Sequence, residues 1–294
     1  MSAFGDCHPV VNLIYFIAVL GFSMFFMHPV CLFISLVCAI FWAIILKSGK
    51  RKAFLLFMLP VLLGTAVMNP LFNHAGVTTI LYFPSGNPLT AEALIYGLCA
   101  GAMLASVLCW FTCFNEIMTG DKLIFLFGRL APSLSLILSM TLRFVPRFIK
   151  QFSEVIKAQK GIGPNNSDEN LKSRLKNALS VMSVMITWAL ESSIDTADSM
   201  KARGYGSGKR SSFSMFRFKN RDGILILVIC ALSVYIICGS LMGEMQFTCF
   251  PKIVHSGYSI YGITVFAAYA ILCILPVVIE IKEVIKWNSL KRKI

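Results

Sequence analysis

The sequence predicts an all-α membrane protein, a polytopic helical bundle with long amphipathic helices on its cytoplasmic side. Three observations lead there. Of the 294 residues, 57% are hydrophobic and 14% charged, against about 25% charged in ordinary soluble domains. Apolar runs near the length of a membrane span recur along the chain. Between the fourth and fifth of these runs, apolar residues return at intervals of three and four. So much apolar surface must face lipid, which excludes a soluble enzyme, a disordered chain and a collagen-like fibre.

The runs lie near Val11–Met27, Pro29–Leu46, Ala53–Met68, Ala91–Asn115, Gly223–Gly243 and Tyr258–Ile279. Each approaches the ~20 residues a helix needs to cross about 30 Å of hydrocarbon. His28-Pro29 reads as the turn between the first two. Asn69–Thr90 is apolar but holds Pro70, Pro84, Gly86 and Pro88, and reads as a loop or re-entrant piece. Leu123–Leu142 is mostly apolar yet contains Gly128, Arg129 and Pro132. It reads as a shorter element, buried in protein or lying along the membrane interface. The chain then divides into an N-terminal transmembrane region of about four spans (1–115), a cytoplasmic domain (116–222) and closing spans with a basic tail (223–294).

Lysine and arginine set the expected orientation. The connector after the second run holds four, the segment 115–223 seventeen and the tail 281–294 five. The connectors 69–90 and 244–257 hold none and one, Lys252. Basic and bare segments alternate, as six spans with both termini in the cytoplasm require. Met1–Pro9 has no Lys or Arg, so no signal peptide is read there. The ten cysteines include no C-x-x-C, most sit inside apolar runs, and they read as small packing residues. His8, His28, His74 and His255 are scattered at loops and span ends. No metal site, cofactor or catalytic constellation is proposed.

The segment between the fourth and fifth runs is the informative one. In Arg147–Lys160 the apolar positions are Phe148, Ile149, Phe152, Val155 and Ile156, with charges mostly opposite. Gly161-Ile162-Gly163-Pro164 ends that helix and Asn165–Glu169 is a polar linker. A second stripe runs from Leu171 to Arg203, with Asp168 and Glu169 placed where acids suit a helix N-terminus. Such stripes need a partner: each other, the base of the spans, or another protein. Arg203 ends the second helix with Gly204 able to take the left-handed conformation. Its guanidinium either complements the helix C-terminus or projects into an acidic pocket of a partner.

These residues resemble a known family. Trp188-Ala189-Leu190-Glu191, followed by Ala197-Asp198-Ser199-Met200-Lys201-Ala202-Arg203-Gly204-Tyr205-Gly206, is similar to the second Ala-Arg-Gly motif of the transmembrane T component of energy-coupling factor (ECF) transporters. Those proteins are related to the cobalt-transport membrane protein. Leu142-Arg143-Phe144-Val145-Pro146-Arg147-Phe148 resembles the motif opening that family's first coupling helix. The resemblance implies a non-catalytic subunit of an ABC-type importer in a bacterial-type plasma membrane. Two ATPases would grip the coupling-helix tips, Ala202, Arg203 and Gly204 at one and Ala158, Lys160 and Gly161 at the other. Arg143, Phe144 and Pro146 would belong to the coupling-helix motif. ATP-driven movement of the tips would pass along the long helices beneath the membrane. A small membrane S component would bind a vitamin or transition-metal ion and deliver it. At the first tip the family's Ala-Arg-Gly reads Ala158-Gln159-Lys160-Gly161, so a point charge stands where a planar fork is usual.

The residues also weigh against other classes. A proton-coupled carrier places ionisable groups at bilayer depth. Here Val11–Leu46, Phe54–Ala91, Ala93–Asn115, Gly223–Gly243 and Tyr258–Ile279 hold no Asp, Glu, Lys or Arg. Glu92, Glu116, Glu244 and Glu280 stand at span edges and read as solvated interfacial carboxylates. A stand-alone secondary transporter of a neutral solute is the alternative reading. Gly206-Ser207-Gly208-Lys209-Arg210 lacks the first Gly and the final Ser or Thr of a phosphate loop. The basic run Lys209–Arg221, with Phe213, Phe216 and Phe218, reads as an anchor to anionic lipid rather than a nucleic-acid site.

Overall fold

The computed structural model describes residues 3–46, 51–73, 76–82, 88–162, 171–208, 216–250, 254–255 and 259–291. Along the chain lie α1 (Pro9–Phe25), α2 (Pro29–Leu46), α3 (Arg51–Phe72), β1 (Thr79–Tyr82), β2 (Pro88–Thr90), α4 (Ala91–Ile117), α5 (Gly120–Leu130), α6 (Pro132–Ile162), α7 (Leu171–Ala202), α8 (Asn220–Leu241), β3 (Phe247–Thr248), β4 (Val254–His255) and α9 (Ile260–Lys291). The fold is all-α, with two small antiparallel ribbons. Helices α2, α4, α8 and α9 are long and apolar enough to cross a membrane; α1 and Met58–Phe72 are shorter apolar helices. Each of the six expected spans therefore falls on a helix.

Two compact units result, Met1–Lys122 with Phe216–Ile294, and Leu123–Met215. In the first, α4 packs against α1, α2 and α3, while α9 packs against α2 and α8. Its centre is aromatic. Trp42 and Trp110 lie 5.6 Å apart, with Phe16 stacked on Trp42 at 5.7 Å and Phe4 edge-on to Tyr15 at 5.2 Å. A polar thread crosses this core. Trp110 Nε1 donates to Ser35 Oγ at 2.9 Å, Ser35 Oγ meets Ser23 Oγ at 2.9 Å, and Ser23 Oγ meets the Tyr269 hydroxyl at 3.4 Å. One residue each from α1, α2, α4 and α9 is thereby bonded. Eight of the ten free cysteines are buried, six of them in this core, while Cys230 and Cys238 on α8 are exposed.

Both His-Pro pairs start helices. His8 Nδ1 accepts from the Val10 N–H and His28 Nδ1 from the Val30 N–H, each at 3.3 Å. Proline follows at the first helical position, where its missing N–H costs nothing. The segment before α1 folds back into the bundle, a feature the sequence reading missed. Phe4 is fully buried. Its N–H donates to Glu280 on α9 at 3.5 Å, and the His8 N–H donates to Asp222 on α8 at 3.5 Å. Lys122 Nζ donates to the carbonyls of Gly5 at 2.6 Å and Ile117 at 2.7 Å, placing a cation on the C-terminus of α4. Burial pulls the Lys122 pKa below the usual lysine value, and the Asp6 carboxylate works against that shift.

Several expectations are corrected. Glu92 and Glu280 are buried and hydrogen-bonded rather than solvated. Asn69–Thr90 begins as helix: Pro70 lies inside α3, and the Asn73 N–H closes the last turn on the Asn69 carbonyl at 2.8 Å. The β-branched run that follows then pairs as β1 with β2. Leu123–Leu142 is not one element. It breaks at Ala131, before Pro132, because a residue preceding proline is pushed out of the α region. Among the described residues of this chain, Phe127, Leu134, Ile137 and Leu142 are exposed. Gly128 lets this elbow close, as a Cβ there would sit 2.9 Å from Ser135 Oγ. The polar linker 165–169, Gly163 and Pro164, and residues 209–215 of the basic run lie outside the described residues. So does His74.

Helices α3 and α4 approach closely along Gly97-Leu98-Cys99-Ala100-Gly101, a small-xxx-small face. A Cβ on Gly101 would lie 2.5 Å from Thr65 Oγ1 and 2.9 Å from the Leu62 carbonyl, whereas one on Gly21 meets nothing within 4 Å. Gly101→Ala should therefore destabilise the bundle by about 1–3 kcal/mol through overpacking. Gly21→Ala should be neutral or slightly stabilising through better helix propensity. Thermal unfolding of the two variants in the same detergent checks the contrast.

Candidate functional site: the α6–α7 pair and its tip

Helix α6 is longer than expected. The stretch Arg147–Lys160 is the second half of a single 31-residue helix, about 46 Å long. Consequently the Arg143-Phe144-Val145-Pro146 motif sits in mid-helix rather than at an opening. Pro146 removes one backbone donor there without ending the helix. The helix also runs through Gly161 to Ile162, so Gly161 is a helical residue. Ala158, Lys160 and Gly161 are exposed.

Helix α7 spans Leu171–Ala202, as the periodicity predicts. Its interior Ser and Thr residues bond back one turn. Thr187, Ser193 and Thr196 donate to the carbonyls of Ser183, Ala189 and Ser192, which satisfies hydroxyls that would otherwise compete with the helix. Leu175, Leu179, Met182, Ile186, Leu190 and Ile194 form an exposed apolar stripe along it.

The end of α7 is built with particular economy. Gly204 adopts φ +79°, the left-handed region that a Cβ disfavours. Its N–H donates to the Lys201 carbonyl at 2.9 Å, and the Tyr205 N–H donates to the Met200 carbonyl at 3.0 Å. These two bonds define a Schellman turn with Arg203 as the capping residue. Ser207 Oγ donates to the Gly204 carbonyl at 2.6 Å, which closes the loop beyond it. Arg203 therefore leaves the helix from a fixed backbone, and its side chain is exposed.

Helices α6 and α7 lie alongside one another. Phe148 meets Trp188 edge-on at 5.1 Å, and the Arg147 guanidinium lies 5.4 Å from the same indole ring. Nearer the tip the two helices frame a cavity of about 580 Å³. Arg143, Phe144 and Arg147 line it from α6, Ser192, Asp195 and Ser199 from α7, and Arg203 from the cap. Three guanidiniums and one carboxylate thus converge. Among the described residues, Arg143 and Arg203 have no acidic partner in ion-pair contact. An apolar cavity of about 410 Å³ adjoins it and shares Phe144.

Arg143 and Phe144 of the first motif and Arg203 of the second, singled out separately in the sequence, therefore share one cavity. Ala158, Lys160 and Gly161 do not join them. Lys160 lies seventeen positions beyond Arg143, about 25 Å along α6. Arg147, Asp195 and Trp188 complete the surroundings. Only the helical spacing of three and four could have shown that Arg143 and Arg147 share a face.

Residues 5–215 match the model of the CbiQ family, described as cobalt transport protein. The chain is also similar to proteins named energy-coupling factor transporter transmembrane protein EcfT. It is 29% identical to that of Staphylococcus aureus over 102 residues, 34% of this chain and 38% of the relative. With that of Lactococcus lactis the identity is 27% over 108 residues, 36% and 41% of the two chains. With that of Listeria innocua it is 32% over 101 residues, 34% and 38%. The chain thus spans about two fifths of the length of the curated relatives it matches. Because the family match extends over most of the sequence and contains both α6 and α7, the chain belongs to the CbiQ cobalt transport protein family.

Proposed function

We propose that this protein is the membrane-embedded T subunit of an energy-coupling factor importer, and that α6 and α7 are its coupling helices. One observation carries the reading: an always-charged guanidinium, Arg203, held by a Schellman turn at the end of a 32-residue helix beside Arg143 and Arg147. A preorganised planar cation suits bidentate capture of a carboxylate on a partner's surface. The partners are two cytoplasmic ATPases, one at Ala202-Arg203-Gly204 and one at Ala158–Gly161. Arg143 and Phe144 support the Arg203 tip from α6, and Pro146 belongs to the same motif.

The chain works without chemistry of its own. ATP hydrolysis belongs to the partners, and a small S component in the membrane binds the vitamin or transition-metal ion. Movement of the tips passes through α6 and α7 to the spans. The alternation of basic and bare segments supports a cytoplasmic position for α6, α7 and both termini in a bacterial plasma membrane. The names of the similar EcfT proteins and the family match support this assignment.

Arg203→Glu should weaken co-purification with the ATPase pair by roughly thirty-fold or more in affinity, since breaking a desolvated charge pair costs about 2 kcal/mol or more. Unchanged assembly and transport in that variant would remove Arg203 from its role. Arg203→Ala should cost more than Lys160→Ala in the same binding assay, because only the Arg203 tip offers a fork on a fixed backbone. The opposite ranking would contradict the assignment. A stand-alone carrier predicts instead that the purified chain moves a solute in liposomes without partners.

A further inference from the structure

The β1–β2 ribbon carries an apolar surface that neither the spans nor α6 and α7 account for. Residues 69–90 contain no Asp, Glu, Lys or Arg. The pairing of β1 is irregular between Thr79 and Leu81, and the consecutive residues Ile80, Leu81 and Tyr82 are 55%, 64% and 71% exposed, with Val77 58% exposed. A ribbon resting on a surface in water would keep one polar face. This one exposes three consecutive large apolar side chains, with Thr79 the exposed polar residue beside them.

The ribbon is also held firmly. The Thr78 N–H donates to both carboxylate oxygens of Glu92 at 3.2 and 3.3 Å, and the Thr78 hydroxyl donates to Oε1 at 2.6 Å. The Ala91 N–H donates to the Thr78 carbonyl at 3.0 Å. Gly76, at φ +145°, makes this clasp possible, because a Cβ there would lie 2.6 Å from Glu92 Oε2. The ribbon joins α3, whose last turns expose Val67, Met68, Leu71 and Phe72, to the start of α4. Its apolar surface thus adjoins the lipid-facing surface of a span in the same unit.

We propose that the β1–β2 ribbon inserts into the membrane interface, with Val77, Ile80, Leu81 and Tyr82 seated at the boundary between lipid headgroups and acyl chains. The depth follows from its backbone. A two-stranded ribbon has open edges whose N–H and C=O groups would be unsatisfied in the hydrocarbon core, but not at the hydrated interface. Tyr82 suits that level, with an apolar ring and a polar tip. The ribbon thereby anchors the α3–α4 end of the bundle to one leaflet, and Glu92 keeps it from folding away.

The test uses the full chain in phosphatidylcholine vesicles, with Ile80→Trp and Leu81→Trp made separately. Each variant's added emission is read as its difference from the native chain, which has Trp42, Trp110, Trp188 and Trp287. Lipids brominated near the top of the acyl chains should remove about half of the added emission in both variants, deeply brominated lipids less, and aqueous acrylamide little. Quenching by acrylamide without a bromine effect at either position would place the ribbon in water and overturn the proposal. Protection from both quenchers would place it against protein, a partner or a second copy, and would overturn it equally. Intact Tyr82→Ser protein that still shows the bromine effect with Leu81→Trp confirms that the ribbon, rather than one aromatic side chain, seeks the lipid.

Discussion

In hydrocarbon, apolar side chains gain little by leaving the solvent for one another, so a helical bundle there depends on close backbone approach and on polar bonds. The thread from Trp110 through Ser35 and Ser23 to Tyr269 meets the second need. An indole N–H or a hydroxyl without a partner in lipid costs several kcal/mol, so each of these groups holds its helix to the next. Gly97 and Gly101 meet the first need by letting α3 rest on α4. With the spans secured from within, their outer faces are free to be apolar. Exposed Phe25, Phe33, Leu104 and Ile271 are then ordinary lipid contacts.

The same exposure has another meaning on α6 and α7. These helices alternate apolar residues with Arg143, Arg147, Lys150, Glu154, Glu191, Asp195 and Asp198. Charges at that density do not cross a bilayer, and an apolar stripe of six residues facing water is costly. Each apolar side chain left in water forgoes roughly 1.5–3 kcal/mol. The pair is consistent with an element completed by contact with other molecules, which is what a transmitter of movement requires. The cavity beside Arg203 is lined by three arginines, whose guanidiniums suit capture of an anion.

Much of this was legible in the sequence because membrane and helix impose strong periodicities. The six apolar runs became helices, the stripe from Leu171 ended within one residue of its expected end, and Gly204 took the left-handed turn. What escaped depends on contacts between residues far apart in the chain. Nothing near Phe4 announces that it will fill a pocket beside Trp42, or that Lys122 will bond the Gly5 carbonyl. Glu92 reads as a solvated edge residue until Thr78 closes on it from fourteen positions away. The motif around Arg143 reads as a helix start through its resemblance to the motif that opens the family's first coupling helix. It is interior because Pro132 had already opened the same helix. The pairing of Arg143 with Arg203 needed the crossing of two helices, which no local pattern encodes.

The two tips differ in a way that bears on how force would pass through them. Arg203 stands on a backbone fixed by two cap hydrogen bonds and presents donors in one plane. Less backbone freedom remains to be lost on docking there, so more of the interaction appears as affinity. Lys160 stands in the last described turns of α6, on a four-carbon stem with three rotatable donors, and Gly161 beside it is helical rather than a left-handed cap. Such a cation tolerates many acceptor geometries and specifies none. In a complex with two motors, the Arg203 tip would set the register and the Lys160 tip would follow it. If both tips dock as proposed, a stiff contact at Arg203 and a compliant one at Lys160 would let α6 tilt without breaking either hold, which two equally rigid contacts would resist.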